Sequence, residues 1–285
     1  MWSIFNLISE YTAAYNADDP KIKLKIDHTY RVAALCERIA KAAGMSAYDI
    51  ELAWLSGMLH DVGRFEQIKR YNTFSDADSV DHAKFGADLL FKDGLISTFL
   101  KGMVKCTGYK PGALEDRYDS DGVFLYDRLN KSDMEMLELA IRCHNMYRIP
   151  QGLNRREQAF CNVLRDADKV DIFKVNIDTP LEEIYNTTTE ELMKSDITDE
   201  VLEAFDEEHC ILKAIRRTPA DTVIGHVSLA YELVYDESVR ITVEQGYLAK
   251  LMHFHSDNEE TNRKMAMVRE KMDSYVKKRI GEKDA

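Results

Sequence analysis

The sequence predicts an all-α fold: a helical bundle with additional helices packed on it toward the C-terminus. Three observations carry that expectation. Apolar residues recur at three- and four-residue spacing, as in Leu24, Val32, Leu35 and Ile39, and again in Phe160, Leu164 and Ile172, which is the period of a single helix face. Pairs that can form capping boxes, Ser46 with Asp49 and Ser132 with Glu135, stand at the heads of such stretches. No segment shows sustained two-residue alternation, an internal repeat or low complexity. The chain of 285 residues is ample for a sizeable core. It reads as a single all-helical domain over 1–285, with a core at about 20–180 and residues 181–285 as a helical extension packed on that core.

Taken in order, the first helix runs from about Lys25 to Ala43 and stops at Gly44. The second opens at Ser46, runs toward His60-Asp61 and ends near Gly63. A helix from about Val80 to Lys92 carries His82, with Gly94 placed to end it, and Leu95 to Lys105 forms another. The stretch 107–122, TGYKPGALEDRYDSDG, has Gly, Pro and Asp at turn-forming positions and reads as a loop. Ser132 opens the helix that carries His144, and Ile149-Pro150-Gln151-Gly152 breaks the chain. A long helix follows from about Arg155 to Val175. Further helices start near Pro180, Asp199, Asp221 and Asn258. Val239 to Val243 is compatible with strand or helix. The last helix, about 258–280, is highly charged and reads as a solvated terminal helix.

Composition narrows the function. A net charge of -12 and a pI near 5.2 argue against a general nucleic-acid-binding surface, while leaving room for a local basic pocket that holds a phosphate. Five cysteines, at 36, 106, 143, 161 and 210, have no paired metal-ribbon spacing, and their odd number fits reduced thiols in the cytoplasm. The N-terminal stretch MWSIFNLISEYTAAYN lacks the basic and long apolar parts of a secretion signal. No apolar run approaches membrane-spanning length. A cytoplasmic protein without a membrane partner is expected.

The chemistry concentrates at His60-Asp61. A neighbouring imidazole and carboxylate can share one metal ion, and the second oxygen of Asp61 can bridge to another. His28, His82, His144 and Asp168 complete an ordered set. Each of these stands on or beside an apolar stripe. His28 lies among Leu24, Val32, Leu35 and Ile39; Asp168 follows Phe160 and Leu164; His144 follows Leu137 and Ile141; His82 precedes Phe85, Gly86 and Leu89. Ala53, Gly57 and His60 form a face of small residues that lets another helix approach closely. A buried carboxylate is costly unless it is paired or holds a metal. Polar interruptions on several apolar faces point to one shared polar object where those faces meet. His226 lies on a core face with Val223, Ala230 and Leu233 but has no partner set; His209, His253 and His255 show no common face. These four are left out of the site.

The segments HTYRV at 28–32, LHDVGRFEQ at 59–67, DHAKFGADLLF at 81–91, IRCHN at 141–145 and RDADKVDIF at 165–173 resemble the HD superfamily of metal-dependent phosphohydrolases. The resemblance covers roughly residues 20–180. It implies an all-helical, HD-domain-like bundle with the metal at its centre, and it places the minimal signature on His28, His60, Asp61 and Asp168. Asp168 rather than Asp166 matches the family position, and its apolar stripe agrees. His82 and His144 match extra ligands of two-metal members, with Asp61 bridging. The chain departs from the cyclic-dinucleotide phosphodiesterases of the superfamily: Asn145 stands where they carry a second histidine, and their Gly-Tyr-Pro element is absent from its place.

The implied activity is cleavage of a phosphoester in a nucleotide or other small phosphorylated molecule by metal-activated water. The implied cofactor is one or two divalent ions of Mn, Fe, Zn, Ni or Co. Asp61, Arg64 and Lys169 are the expected catalytic residues, and Arg31 and Arg64 the expected contacts to the substrate phosphate. Arg64 stands three residues past Asp61, and an arginine can grip phosphate oxygens with two donors. Asp78 and Asp81 are read as helix caps or as partners of the ligands. A homodimer is compatible with the sequence. Two alternatives remain open at this level: an HD-fold di-iron oxygenase resembling myo-inositol oxygenase, and a non-catalytic metal-binding sensor module.

Overall fold

The computed structural model describes residues 11–16, 19–105 and 129–281. The loop expected at 107–122 and Cys106 lie outside them. The described residues form helices and connecting turns, with no strand among them. The chain divides into two compact units, Met1–Ala167 and Asp168–Ala285. The boundary falls inside one continuous helix, Arg155–Asp178.

In the first unit, α1 spans Pro20–Ala42, opening where Asp19 caps the Lys21 amide and Pro20 occupies the first turn. Both are helix-start signals, and they set the start ahead of the Lys25 expected from the apolar stripe. Its buried face includes Ile22, His28, Val32, Leu35 and Ile39. Helix α2, Ala47–Leu59, is capped by the Ser46 hydroxyl on the Asp49 amide and is buried continuously from Glu51 to Leu59. The small-residue face works as expected: a Cβ at Gly57 would lie 2.6 Å from Ala33 Cα, so α1 and α2 meet almost backbone to backbone.

The helix does not continue to Gly63. It ends at Leu59, and α3, Val62–Tyr71, starts after a turn at Asp61. Gly63 is therefore inside a helix rather than at its end. The reason is steric: a Cβ there would fall 2.3 Å from His82 O and 2.7 Å from Gly86 N. Gly63 lets α4, His82–Ala87, cross against α3. Asp81 caps α4, and the helix widens into a π turn over Asp88–Lys92, so the expected helix over 80–92 is present as two pieces. Helix α5 spans Leu95–Lys105. Helix α6, Lys131–Cys143, is opened by a reciprocal box of Asn130 and Asp133, not Ser132 and Glu135. Asn caps as well as Ser, and the true box lies two residues earlier. Helix α7 is Arg155–Asp178.

The second unit contains the end of α7, then α8 (Leu181–Tyr185), α9 (Thr189–Lys194), α10 (Asp199–Asp206), α11 (Pro219–Val227), α12 (Asp236–Gln245), α13 (Tyr247–Met252) and α14 (Glu259–Ile280). The ambiguous Val239–Val243 is helical, within α12. Helix α11 opens at Thr218, which forms a capping box with Asp221, so Asp221 lies in the first turn rather than at the start. Helix α14 is not merely solvated: Met265, Val268, Met272, Val276 and Ile280 bury a stripe along it, and its charges fill the other face. Cys36, Cys143, Cys161 and Cys210 are free thiols. Among the described residues no helix is long and apolar enough to cross a membrane.

Candidate metal centre

Five of the six expected ligands belong to the first unit, and the fold brings them together. His28 comes from α1, His60 and Asp61 from the α2–α3 turn, His82 from the first position of α4, and His144 from the C-terminal cap of α6. All five are buried.

Asp61 organises them into two groups. Its Oδ2 lies 3.6 Å from His28 Nε2 and 3.7 Å from His60 Nε2, and those two nitrogens are 3.3 Å apart. Its Oδ1 lies 3.6 Å from His82 Nε2 and 3.9 Å from His144 Nε2, which are 3.0 Å apart. Three donors, each about 2.1 Å from one ion, are separated by about 3.0–3.4 Å in octahedral or tetrahedral arrangements. Both triangles are therefore close to ion-sized, and they share one carboxylate.

The histidine tautomers are set by their outer hydrogen bonds. His60 and His144 each follow the last residue of a helix and turn Nδ1 back to a carbonyl three residues earlier, Gly57 O and Ile141 O, both at 2.7 Å. A carbonyl only accepts, so Nδ1–H donates, and a helix-end carbonyl without an intrahelical partner is satisfied. His82 Nδ1 donates to Asp76 Oδ2 at 2.7 Å. In neutral rings this leaves Nε2 as a lone pair, the form a metal takes. Burial drives the His82 imidazolium down to about 4, against the opposing pull of Asp76. In the tautomers that these outer bonds select, the Nε2 atoms of His82 and His144 face each other at 3.0 Å as two acceptors. Two such acceptors side by side are a donor pair that fits a divalent ion.

Asp61 is held ionised. Burial alone would raise its carboxyl, but nearby positive charge, Lys25 foremost, keeps it well below the usual carboxylate range. The nearest cation is Lys25, whose Nζ donates to Oδ2 at 2.8 Å. Arg64 does reach the site, with Nε 3.8 Å from Oδ1. Its Nη1, however, is committed to Gln67 Oε1 (2.8 Å), Phe74 O (2.6 Å) and Asp76 Oδ1 (2.7 Å). Nε is buried with no hydrogen-bond partner.

Residues 73–81 therefore serve as a brace. Gln67, fully buried, donates to Asp76 Oδ1, Ser79 Oγ and Val80 O at 3.0, 2.9 and 2.9 Å. Asn145 Nδ2 donates to Asp81 Oδ1 at 2.9 Å and joins the end of α6 to the cap of α4. Asp81 is the helix cap, Asp78 is an exposed turn residue, and the partner of His82 is Asp76. Asp76, Asp81 and His82 also group closely enough to be cation ligands, but Asp81 is engaged as a cap and Asp76 as the orienting partner of His82.

Arg31 is partly buried on α1, three residues after His28. Asp168 and Lys169 lie on α7 just past the unit boundary; Asp168 is partly buried and Lys169 is buried. Asp168 follows the fully buried Phe160 and Leu164 at four-residue spacing. Lys25, Gln67 and Asp76 were missed by sequence reasoning. Only Lys25 had a signal, its place one turn before His28 on a common face.

The HD domain family model matches residues 26–176, just over half of the 285-residue chain. No curated protein and no solved structure matches it. The matched span carries every expected ligand, from His28 to Asp168. The chain belongs to the HD domain family, whose members bind divalent metals and make up a superfamily of metal-dependent hydrolases.

Proposed function

We propose that this protein is a phosphohydrolase that cleaves a phosphoester of a nucleotide or another small phosphorylated molecule, with two divalent ions sharing Asp61. The observation that carries this reading is the division of Asp61, one oxygen to the His28–His60 pair and the other to the His82–His144 pair. Ions bound there would make water a nucleophile near neutral pH and offset charge on phosphoryl oxygens. The remaining work falls to the chain. His28, His60, His82 and His144 present Nε2, and Asp76 keeps His82 in the required tautomer. Asp168 is the fourth member of the HD signature in this reading.

The buried, unpartnered Nε–H of Arg64 supplies a donor for a phosphate oxygen beside Asp61. Arg31 and Lys169 are further candidates for such contacts. The charge of -12 favours a small anion met in a local pocket over a nucleic acid. The mixed imidazole and carboxylate set suits Mn, Fe, Zn, Ni or Co.

The test is a panel of nucleotides, cyclic nucleotides and small phosphomonoesters offered to the full chain loaded with each ion in turn. Turnover that disappears with chelator and in His60→Ala is the expected result. Oxygen uptake on a diol by the iron-loaded protein, without phosphoester cleavage, would assign an oxygenase instead. Tightly held metal with neither reaction would leave the sensor role and refute the enzyme reading.

A further inference from the structure

Lys25 belongs to none of the sequence segments that carry the HD resemblance. It stands three residues before His28 on α1, so the two share a helix face. Its Nζ donates to Asp61 Oδ2 at 2.8 Å, closer than His28 at 3.6 Å or His60 at 3.7 Å. The Asp61 oxygens are thus unequal. On the Oδ1 side the nearest non-histidine cation is Arg64 Nε at 3.8 Å, and that guanidinium is anchored through Nη1 to Asp76. The Lys25 side chain is 19% exposed against 2% for Asp61. It reaches from the protein surface past the Phe74 ring, whose centroid is 5.7 Å from Nζ, to a buried carboxylate.

An ion held by His28 and His60 draws on the oxygen that Lys25 already uses. Two cations on one buried oxygen repel strongly, because screening there is weak. We propose that Lys25 is a built-in competitor for the ion of the His28–His60 group. Its ammonium neutralises Asp61 and must give up Oδ2 as that ion enters. This lowers affinity at that group more than at the His82–His144 group, where the cation beside Asp61 is the more distant, anchored Arg64, so the two groups load in order. The flexible, partly exposed stem lets the ammonium withdraw toward water without moving α1. The inference deepens the two-ion reading above and rests on it.

The experiment is Co²⁺ titration of the full chain by calorimetry and visible absorption, for wild type, Lys25→Met and Lys25→Arg. In Lys25→Met one binding step tightens by roughly tenfold or more, the scale of removing a like charge a few ångströms away. The other step stays put, and Lys25→Arg remains near wild type. Should Lys25→Met fold poorly, Co²⁺ restores its circular dichroism, because the ion replaces the lost counter-charge. Unchanged or weaker binding in Lys25→Met, equal tightening in Lys25→Arg, or a misfolded Lys25→Met that Co²⁺ cannot restore overturns the role of Lys25 alone. No Co²⁺ uptake by wild type overturns the metal centre itself, and the proposal with it.

Discussion

Replacing Asp76 by Asn keeps the shape of the side chain but reverses one of its hydrogen-bonding roles. Asp76 accepts on both oxygens, from His82 Nδ1 at 2.7 Å and from Arg64 Nη1 at 2.7 Å and Gln67 Nε2 at 3.0 Å. An Asn offers one acceptor. The Arg64–Gln67 side has two donors and an ion pair to satisfy, so it takes the oxygen, and the amide NH₂ turns to His82. His82 Nδ1 must then accept, which moves its proton to Nε2 and blocks the atom that faces His144 and Asp61. Loss of an orienting partner of this kind costs about 10–100-fold in metal affinity, or about 1.4–2.8 kcal/mol. Weakened charge-assisted bonds to Arg64 add about 1–3 kcal/mol of lost stability. Calorimetric titration with Mn²⁺ or Co²⁺ should show one weakened binding step and one near the wild-type value. Asp78→Asn, at an exposed turn two residues away, is the control and should bind like wild type. Equal affinities for wild type and Asp76→Asn at both steps would refute the argument that Asp76 sets the His82 tautomer.

Other outcomes follow from separate parts of the structure. Gly63→Ala places a methyl 2.3 Å from His82 O, so α4 must shift. A loss of about 1–3 kcal/mol is expected from overpacking, together with weaker binding at the His82–His144 group; a variant with wild-type urea midpoint and metal affinity would remove the close-crossing explanation. In the second unit, burial and then Arg216 and Lys213 push His226 down to about 3, and its Nδ1 is buried without a partner. The fold holds it neutral, while the unfolded chain takes up a proton below about pH 6.5. Its contribution is therefore lost as pH falls from about 6.5 toward the folded value, with a slope of at most about 1.4 kcal/mol per pH unit. His226→Phe should gain on wild type between pH 7.5 and pH 5 in urea titrations; a stability difference that does not change with pH would sink this reading.

The cluster of His28, His60, Asp61, His82 and His144 was legible because these polar residues stand on or beside apolar stripes. His28 stands at helical spacing with Val32, Leu35 and Ile39, and the structure buries all four. Gly57 was legible for the same reason, as one of several small residues on a helix face. Gly63 was not, because glycine both ends helices and permits crossings, and only the approach of His82 and Gly86 separates the two uses. The α6 cap failed by degeneracy: Asn130 and Ser132 both cap well, and the sequence contains both. Asp76 and Gln67 act through a turn with no periodicity, so nothing along the chain connects them to His82. Lys25 was hidden by Lys21 and Lys23, which look alike in sequence but do not share its three-residue offset from His28. In α14 the count of charges outweighed the four-residue recurrence of its buried methionines and valines.

Metal content per chain tests the proposed two-ion centre divided by Asp61 most directly. Plasma mass spectrometry on protein purified without chelator or oxygen, and then reconstituted, should give two divalent ions per wild-type chain. It should give one in His144→Ala, where only the Oδ1 group is damaged, and none retained in Asp61→Ala. Two ions still bound in Asp61→Ala, or no ion taken up by wild type, would contradict the account.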